Sequence, residues 1–585
     1  MSTSAKAFYE FGPFRIDMER YLLLRDGEPI SLSPKVFETL LFLVQNRGRI
    51  GKKDEIISNV WPDTFVEESN LAQNVFLLRK ALGEEKNEHR YIVTIPGVGY
   101  RFVAAVREFD TPNVQTQSEP SSIISSIAVL PFKDLLGDDD EKFLGPGLAD
   151  ALIMRLSSIR ELRVRPTAAV LRYTNLKEDP LQIGRDLNVD ALLDGVYQRE
   201  PDKIRVSVQL VSVKDGVTLW AAKFDEKLTD IFAIQDSIAD QVVRSLAIQL
   251  SGDEQRQIKK NYTHNPEAFQ LFIKGRYFWN QRTIDGLRKA LDYAQQAIAV
   301  DPAYAPAYVG LADSYNLLGA QHNVLPPKES FPKARAAARR ALEIDPLLAE
   351  AYASLGFINC GFEWDWPGAE QCYLKAIELK PNYPTAHHWY GEWLTTTGRF
   401  EQAYVELQTA QELDPLSLAI NVDLAASFYY SRQFDNSERQ LLNLLELNSK
   451  FVRALVVLGK VYVQKREFDK GIEVLQKAVE YSGDDPATKS TLAHALACAG
   501  KSQEARTLLD DLLKASAHRY ISACRVAEVH TGMGDTEAAY AWLDQALENR
   551  DIELIWLKVN PAFDRLRAET RFIELMRAVN PGLVG

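Results

Sequence analysis

The sequence is poor in cysteine, with four in 585 residues. These four lack the CxxC spacing of a zinc module and are too few for a disulfide framework. No apolar run approaches the ~20 residues that a membrane-spanning helix needs, and the amino-terminal MSTSAKAFYEFG has no apolar signal-peptide core. We therefore expect a cytoplasmic protein that does not contact a membrane.

Arrangements typical of an active site are also missing from the sequence. Gly145-Pro146-Gly147 is not followed by the Gly-Lys-Ser/Thr of a phosphate-binding loop, and the acidic run at 138–141 lacks the interleaved spacing of a calcium loop. The adjacent His387 and His388 would diverge on a helix, so we do not expect them to share a metal. Paired carboxylates and a nucleophile elbow are likewise absent, and we expect no enzyme activity, cofactor or metal site.

Positive charge is outnumbered, with 68 Lys and Arg against 80 Asp and Glu, so the whole chain has a formal net charge of −12. Residues 1–107 hold 15 Lys and Arg against 14 Asp and Glu, which leaves 53 against 66 for the remainder. The acidic balance therefore belongs to the later part of the chain. A nearly neutral first part implies modest non-specific affinity for nucleic acid, since phosphate neutralisation supplies most of that affinity. A dimer or clustered sites would then add avidity.

The most informative feature that is present is an amphipathic helix followed by a glycine-turned hairpin. The helical segment reads NLAQNVFLLRKALG, and the hairpin reads YIVTIPGVGYRF. The apolar residues of the helix recur at helical spacing and form one stripe, which comprises Leu71, Val75, Leu78 and Leu82. The strands of the hairpin, turned by Gly97 and Gly99, would form a wing beside the helix.

The free face of this helix carries amides and cations. Gln and Asn can make paired hydrogen bonds to adenine, and Lys or Arg neutralises phosphate. We therefore predict that the face enters the major groove of double-stranded DNA, where Asn70, Gln73 and Asn74 read bases. Arg79 and Lys80 are predicted to contact phosphate. The alternatives are a solvated helix face and a basic helix end stabilised by the helix dipole.

Four motifs in the first hundred residues are SPKVFETLLFLVQNRG, the Val60-Trp61 pair, VEESNLAQNVFLLRKALG and TIPGVGYRF. Together they resemble the OmpR/PhoB-type winged-helix DNA-binding domain over nearly its whole length. The resemblance implies that helix 67–82 enters the major groove and that the hairpin reaches the adjacent minor groove. It also implies phosphate contacts by Arg79, Thr94, Tyr100 and Arg101, and contact with RNA polymerase through the loop at 62–69.

The sequence departs from this family at Phe76, Leu77 and Pro96, where response regulators of this kind often carry arginine. Base recognition would then rely more on the amides. No receiver domain with a phosphoacceptor Asp precedes the winged helix, so we do not expect activation by a phosphorelay in cis. The transmembrane helix of ToxR-like relatives is also missing.

The middle of the chain is predicted to begin with a flexible linker, residues 108–126, rich in Ser, Thr, Gln and Pro. An α/β module at 127–252 follows. IAVLPF predicts a buried strand, and VSVQLVSVKDGVTLWAAKFD predicts two strands turned at Asp215-Gly216. With GLADALIMRLS, these motifs resemble the TolB-like amino-terminal module found between winged helices and repeat arrays in bacterial regulators.

Small residues recur every 34 positions in the last part of the chain. One register comprises Gly391, Ala425, Gly459, Ala493 and Ala527, and a second comprises Ala369, Ala403, Ser437, Gly471, Ala505 and Ala539. Small residues in phase let paired helices approach closely, and a period of 34 is that of the tetratricopeptide repeat. We predict about eight repeats between residues 266 and 580.

The predicted architecture is multidomain, with α+β and all-α parts: a winged helix-turn-helix at 1–107, the linker, the α/β module and an α-solenoid. The predicted function is that of a one-component, sequence-specific transcription regulator whose repeat array binds a protein, a peptide or a second copy of the chain. Two other hypotheses remain. One is a scaffold or signalling adaptor whose winged helix contacts protein only, and the other is an allosteric partner of a signalling enzyme whose α/β module senses a small ligand.

Overall fold

The computed structural model describes most of the chain. The described residues are 8–17, 22–25, 28–30, 32, 34–61, 68–84, 90–95, 97–109, 124–135, 143–174, 179–199, 203–227, 231–246, 248, 250–258, 260, 262–320, 324–483, 485–515, 520–580 and 582. The chain divides into two compact units, Met1–Ser122 and Ile123–Gly585. Each unit is described by itself.

The first unit is a winged helix-turn-helix, as predicted. Its elements are β1 Phe8–Phe11, β2 Phe14–Asp17, β3 Leu22–Arg25, β4 Glu28–Ile30, α1 Pro34–Gln45, β5 Gly51–Lys52, α2 Lys53–Val60, α3 Glu68–Ala81, β6 Ile92–Ile95, β7 Gly99–Phe102 and β8 Arg107–Phe109. Five strands form an antiparallel sheet in the order β4-β3-β2-β1-β8, and three form a second antiparallel sheet in the order β5-β7-β6.

The end of the first domain differs from the prediction. Strand β8 pairs with β1, with Phe8 opposite Phe109. The predicted boundary at residue 107 is therefore two residues too early, because the last strand completes the amino-terminal sheet. Most of the predicted linker, residues 110–123, lies outside the described residues. The next strand begins at Ser126, which was assigned to the linker.

One apolar core holds the helices of this unit against its sheets. The stripe predicted for α3 is buried in that core, since Leu71 and Leu78 are fully buried and Val75 and Leu82 nearly so. Burial of each such side chain stabilises the fold by ~1.5–3 kcal/mol. The same burial determines which face of α3 points to solvent.

The second unit begins with an α/β domain built on a mixed sheet. Its elements are β9 Ser126–Val129, β10 Lys133–Asp134, α4 Leu144–Leu156, β11 Arg163–Val164, α5 Thr167–Leu171, α6 Pro180–Asp186, β12 Ala191–Arg199, β13 Lys203–Ser212, β14 Thr218–Lys227, α7 Ile231–Ser245 and α8 Gly252–Ile258. The strand order is β11-β9-β12-β13-β14, and the short β10 pairs with β12. The predicted hairpin is confirmed, because β13 and β14 are antiparallel and Gly216 takes the φ of 71° that their turn requires.

The rest of the unit is a helical array. Its helices are α9 Pro266–Asn280, α10 Ile284–Val300, α11 Ala305–Ala320, α12 Pro327–Ile344, α13 Ala349–Ile358, α14 Trp366–Leu379, α15 Pro384–Thr397, α16 Phe400–Leu413, α17 Leu418–Tyr430, α18 Phe434–Leu447, α19 Val452–Gln464, α20 Phe468–Tyr481, α21 Pro486–Cys498, α22 Ser502–Ala515, α23 Ala523–Met533, α24 Thr536–Asn549 and α25 Thr570–Val579. Within the described residues, α9 to α24 pack as eight consecutive pairs.

The 34-residue period has a packing reason. A Cβ atom on Gly391 would lie 2.6 Å from Cγ of Leu407, and one on Gly459 would lie 2.4 Å from Cγ of Leu475. A larger residue at either position would push the paired helices apart. The turn after the first helix of a pair repeats in the same way, with a left-handed φ at Gly398, Arg432, Arg466, Gly500 and Gly534.

The α/β domain packs directly on the repeat array. Residues of α9 and of the following pairs belong to the same apolar core as its sheet, and a Cβ atom on Gly147 would lie 2.3 Å from Cγ2 of Ile273. Arg165 donates to two backbone carbonyls at the end of α16. Nδ2 of Asn382 donates to three carbonyls in the segment after α4 at 3.0–3.1 Å. The α/β module and the solenoid therefore form one body.

Candidate functional site

Helix α3 packs against α1 and α2 and presents its other face to solvent. Asn70 and Gln73 are exposed on that face, and Lys80 is exposed two turns beyond Gln73. The major groove of DNA admits an α-helix, and exposed amides can pair with base edges there. The structure thus leaves these three predicted residues available for DNA, while the contacts themselves stay predictions.

The structure places Asn74 elsewhere. Its side chain is only 9% exposed, and Nδ2 donates to the carbonyl of Lys35 at 3.0 Å and to Oγ1 of Thr39 at 3.1 Å. The expectation that Asn74 offers its amide on the free face is therefore wrong. The amide ties α3 to α1 because the residue lies one turn from buried Leu71 and Leu78, on the side that meets α1.

Arg79 connects the helix to the wing. Its Nη2 atom donates to the carbonyl of Ile92 and to Oγ1 of Thr94, both at 2.9 Å. Its Nε atom lies 3.5 Å from Oε2 of Glu84. Oε1 of this buried carboxylate accepts the backbone N–H groups of Tyr91 and Ile92. The two predicted phosphate-contacting residues Arg79 and Thr94 are thus in direct contact with each other.

The wing strand β7 carries the remaining predicted phosphate contacts. A Cβ atom on Gly99 would lie 2.0 Å from the carbonyl oxygen of Gly51, so the close pairing of β7 with β5 requires glycine. Tyr100 is 8% exposed and belongs to the core, which restricts any phosphate contact to the remainder of its side chain. Arg101 is half-buried, and its Nε atom has no hydrogen-bond partner among the described residues.

The free face of α3 also carries two large apolar side chains. Phe76 is 61% exposed and Leu77 is 38% exposed, at the positions where the OmpR/PhoB-type family often has arginine. Apolar side chains in the major groove can contact the thymine methyl group. Pro96 and most of the predicted polymerase-contacting loop, residues 62–67, lie outside the described residues.

The second unit contains a large cavity between the α/β domain and the repeat array, which we call the chamber. Its volume is about 1250 Å³, above the ~300–1,000 Å³ typical of small-ligand sites. Residues of α4 and α5 line one side, and residues of the first helices of successive pairs line the other. None of the residues predicted to contact DNA lines the chamber.

One cluster in the chamber has ligand atoms close enough to share a metal ion. The atoms of His388, Glu392 and Asp423 lie within 4.8 Å of one another. Nε2 of His388 is 2.9 Å from Oδ2 of Asp423, and Oδ1 of Asp423 accepts from Nη2 of Arg453 at 2.6 Å. His387 points elsewhere, with Nδ1 2.6 Å from Oε2 of Glu406.

Electrostatics in this cluster move the pKa values of Asp423 and Glu392 in opposite directions. Burial, together with the charge of Asp423, raises the pKa of Glu392. Burial also acts to raise the pKa of Asp423, but Arg453 and His388 outweigh it and hold that pKa below its usual value. These groups satisfy one another, and the expectation that the chain holds no metal stays a prediction. The i, i+4 spacing of His388 and Glu392 is the sequence signal that could have identified the cluster.

Three known families match separate parts of the chain. The C-terminal domain of transcriptional regulatory proteins matches residues 27–102, the second domain of HilA/YgeH-like transcriptional regulators matches 123–241, and the tetratricopeptide repeat matches 422–486. Together with the fold, these matches define the class: a DNA-binding transcription regulator with an OmpR/PhoB-type winged helix and a tetratricopeptide array. The central module, likened above to TolB-like modules, is matched as a HilA/YgeH-like second domain.

Within this class, the chain is similar to the transcriptional regulator HilA of Salmonella typhi. The two are 26% identical over 436 residues, which is 74% of this chain and 75% of HilA. The sensory transduction protein RegX3 of Mycolicibacterium smegmatis is 36% identical over 93 residues, 16% of this chain and 41% of RegX3. A putative adenylate cyclase 3 of Rhizobium meliloti is 28% identical over 207 residues, 35% of each chain.

Proposed function

We propose that this protein is a sequence-specific transcription regulator of the one-component type, whose helix α3 reads bases through Asn70 and Gln73. The supporting observation is that both amides are exposed on the free face of a helix that Arg79 fixes beside the wing. Lys80, Arg79 and Thr94 contact phosphate and set the register of the helix in the groove. Asn74 is not proposed to read bases, because its side chain joins α3 to α1.

A mobility-shift titration of the full-length protein on genomically selected DNA tests this proposal. Gln73→Ala and Asn70→Ala should each weaken binding to the selected site by about fivefold to a hundredfold, since a paired contact contributes ~1–3 kcal/mol of discrimination. Binding to random DNA and thermal unfolding should not change. Gln45→Ala, which removes an exposed glutamine at the end of α1, is the matched control. Equal losses on selected and random DNA would contradict base reading.

The repeat array is proposed to bind a protein or peptide partner, because stacked repeats present extended surfaces.

RNA polymerase is the proposed partner of the loop at 62–69, and a homodimer would raise the avidity of a nearly neutral DNA-binding domain. The proposed location is the cytoplasm. Every helix in the described ranges is too short or too polar to traverse a bilayer. Sedimentation of the full chain with and without selected DNA, and then with added RNA polymerase, tests the dimer and the polymerase contact.

We further propose that the chain has no enzyme activity of its own. The similarity to the putative adenylate cyclase 3 leaves about two thirds of that relative unmatched. A direct assay is incubation of the purified chain with ATP and a divalent cation. Formation of cyclic AMP above the level of a boiled sample would refute this part of the proposal.

A second candidate function is a scaffold whose winged helix contacts protein only. The exposed side chains of Phe76 and Leu77 favour it, since apolar residues on a free helix face are common at protein interfaces. Salt dependence separates the two functions. DNA binding must weaken steeply between 50 and 200 mM salt as condensed counterions are released, whereas an apolar protein contact would hardly respond.

A further inference from the structure

The chamber offers an enclosed site that opens to solvent. Most of its lining is buried or partly buried, but Ile284 and Tyr481, which are 38% and 41% exposed, belong to the same lining. The α/β domain covers part of the concave face along which an extended peptide would otherwise lie. A small molecule that enters at the exposed residues is therefore a better match to the chamber than a long segment of protein.

The guanidinium group of Arg282, which lines the chamber, has no carboxylate among the described residues within hydrogen-bond or ion-pair distance. Arg282 lies in the turn after α9 with a φ of 54°, and its guanidinium carbon is 3.5 Å from the ring centroid of Trp279. This stacking on the indole is its contact in the structure, and no acceptor from the described residues pairs with it. Burial lowers its pKa to about 10, so the group still carries a full positive charge near pH 7. Arg282 is partly buried, and a charge that is partly removed from water is stabilised when an acceptor of opposite charge binds to it.

The neighbouring groups are already paired. The guanidinium carbon of Arg276 lies 5.4 Å from the centroid of the same indole, and its Nη2 atom is 3.4 Å from Oδ1 of Asp150. Asp150 also accepts from the Thr167 hydroxyl. Asp313, which accepts from Ser354, is close enough to interact electrostatically with both arginines. Arg276 forms an ion pair with Asp150, whereas Arg282 forms no ion pair with any of the described residues.

Two further features indicate an organic ligand rather than a bare ion. The Nε1 atom of Trp279, a residue only 6% exposed, has no hydrogen-bond partner among the described residues. The same is true of Nε1 of Trp393, which is 5% exposed. Trp389 and Phe357 also line the chamber. The walls therefore combine apolar rings with unused donors, as in many small-molecule sites.

We propose that the chamber is a binding site for a small organic carboxylate, whose charge pairs with Arg282 and whose apolar body lies against the aromatic walls. A carboxylate suits this place better than a phosphate for two reasons. Guanidinium pairs with carboxylate through two parallel hydrogen bonds, and one negative charge balances the charge of Arg282. A phosphate carries up to two charges and would meet the carboxylates of Asp150 and Asp313. This site is separate from the DNA-binding surface, so the two proposals can fail independently.

Thermal unfolding of the full-length chain tests the proposal. The probes are benzoate, indole-3-acetate and decanoate, each compared with its own primary amide, together with phenyl phosphate. At least one acid should raise the unfolding temperature in a saturable way, while its uncharged amide and phenyl phosphate should not. Calorimetry should then show that Arg282→Gln weakens binding of that acid by about tenfold or more, the usual effect of losing a charge-assisted hydrogen bond.

Arg466→Gln is the matched control. Arg466 occupies the same position after α19 that Arg282 occupies after α9, has a φ of 61°, and is exposed without lining the chamber. It should leave binding of the acid unchanged. The proposal is overturned if none of the three acids stabilises the wild-type chain, if an amide or phenyl phosphate stabilises it as much as the acid does, or if Arg282→Gln binds the acid as tightly as wild type. The comparison of acid with amide needs no variant and holds even if Arg282→Gln folds poorly.

Discussion

The Nη2 atom of Arg79 lies 2.9 Å from Oγ1 of Thr94, which joins the carboxyl end of helix α3 to the first strand of the wing. The same atom donates to the carbonyl of Ile92, so one side chain positions two parts of the candidate DNA-binding surface. If Arg79 also contacts phosphate, it affects DNA binding in two ways: it fixes the position of α3 relative to the wing, and it neutralises a phosphate charge. Lys80, the next residue, is exposed and can act only through its charge.

Lys80→Gln and Arg79→Gln should therefore behave differently. Lys80→Gln removes one cation, so the slope of log K against log salt should fall by about 0.9, with no change in thermal stability. Arg79→Gln should reduce the slope similarly and also lower the unfolding temperature, because the hydrogen bonds to Ile92 and Thr94 are lost. Filter binding over a salt series, with thermal unfolding of the same samples, measures both effects. A stable Arg79→Gln variant would contradict the structural role.

Asn74→Ala is expected to destabilise the first unit instead of altering base recognition. The substitution removes two hydrogen bonds and leaves the carbonyl of Lys35 without this donor, at a cost of about 1–3 kcal/mol. Urea unfolding of the full chain, followed by hydrogen exchange in α1 and α3, would show the loss. Asn70→Ala, at an exposed position of the same helix, should leave stability unchanged. A loss of sequence preference by Asn74→Ala without a loss of stability would restore it to the base-reading residues.

The sequence predicts periodic features well, and the structure shows why. Leu71 and Leu78 bury their side chains because their spacing matches the helical turn, and Gly391 and Gly459 recur because their helices touch there. The prediction that Asn74 lies on the free face of α3 is wrong for a related reason. Its helical angle puts it at the edge of the apolar stripe, and the partner that decides its role, Thr39, lies 35 residues earlier in the chain.

The chamber could not have been predicted from the sequence in the same way. Arg276 and Arg282 come from the first repeat, whereas Asp150 comes from the α/β domain 126 residues earlier. Their proximity depends on how the α/β domain packs on the array, which no local pattern encodes. Arg282 and Arg466 occupy equivalent positions after the first helix of their repeats, yet Arg282 lines the chamber and Arg466 is exposed.

Arg165 is expected to hold that packing in place. It is 5% exposed, and it donates to the carbonyls of Leu187 and Asn188 in its own domain at 2.8 Å and to those of Glu412 and Leu413 in the array at 2.5 and 3.0 Å. Arg165→Met would leave these acceptors without their donor, and we expect a loss of about 3–5 kcal/mol. Urea unfolding followed by tryptophan fluorescence reports on this unit, which contains eight of the nine tryptophans.

Arg163→Met is the control for Arg165→Met, because Arg163 lies two residues earlier and is exposed. It should leave the unfolding midpoint close to that of wild type. An unchanged midpoint for Arg165→Met would show that the apolar core and the remaining polar contacts, such as the hydrogen bonds of Asn382, suffice to join the α/β domain to the array. An early, separate transition in that variant would instead indicate that the two parts unfold independently once this side chain is removed.

Asp313→Asn should make the second unit more stable at alkaline pH. Burial raises the pKa of Asp313 from 3.8 to about 6 in the folded chain. The folded state therefore binds the proton of Asp313 more tightly than the unfolded state does. The resulting contribution to the free energy of unfolding is complete below pH 3.8 and is lost as pH rises through 6. The difference corresponds to about 3 kcal/mol by pH 8.

Asn can still accept from Ser354 and does not ionise, so urea midpoints of Asp313→Asn should exceed wild type at pH 8 and approach it at pH 4. Asp510→Asn, at an exposed position of α22, should follow wild type throughout, and an Asp313→Asn midpoint at pH 8 that is no higher than wild type would refute the assignment.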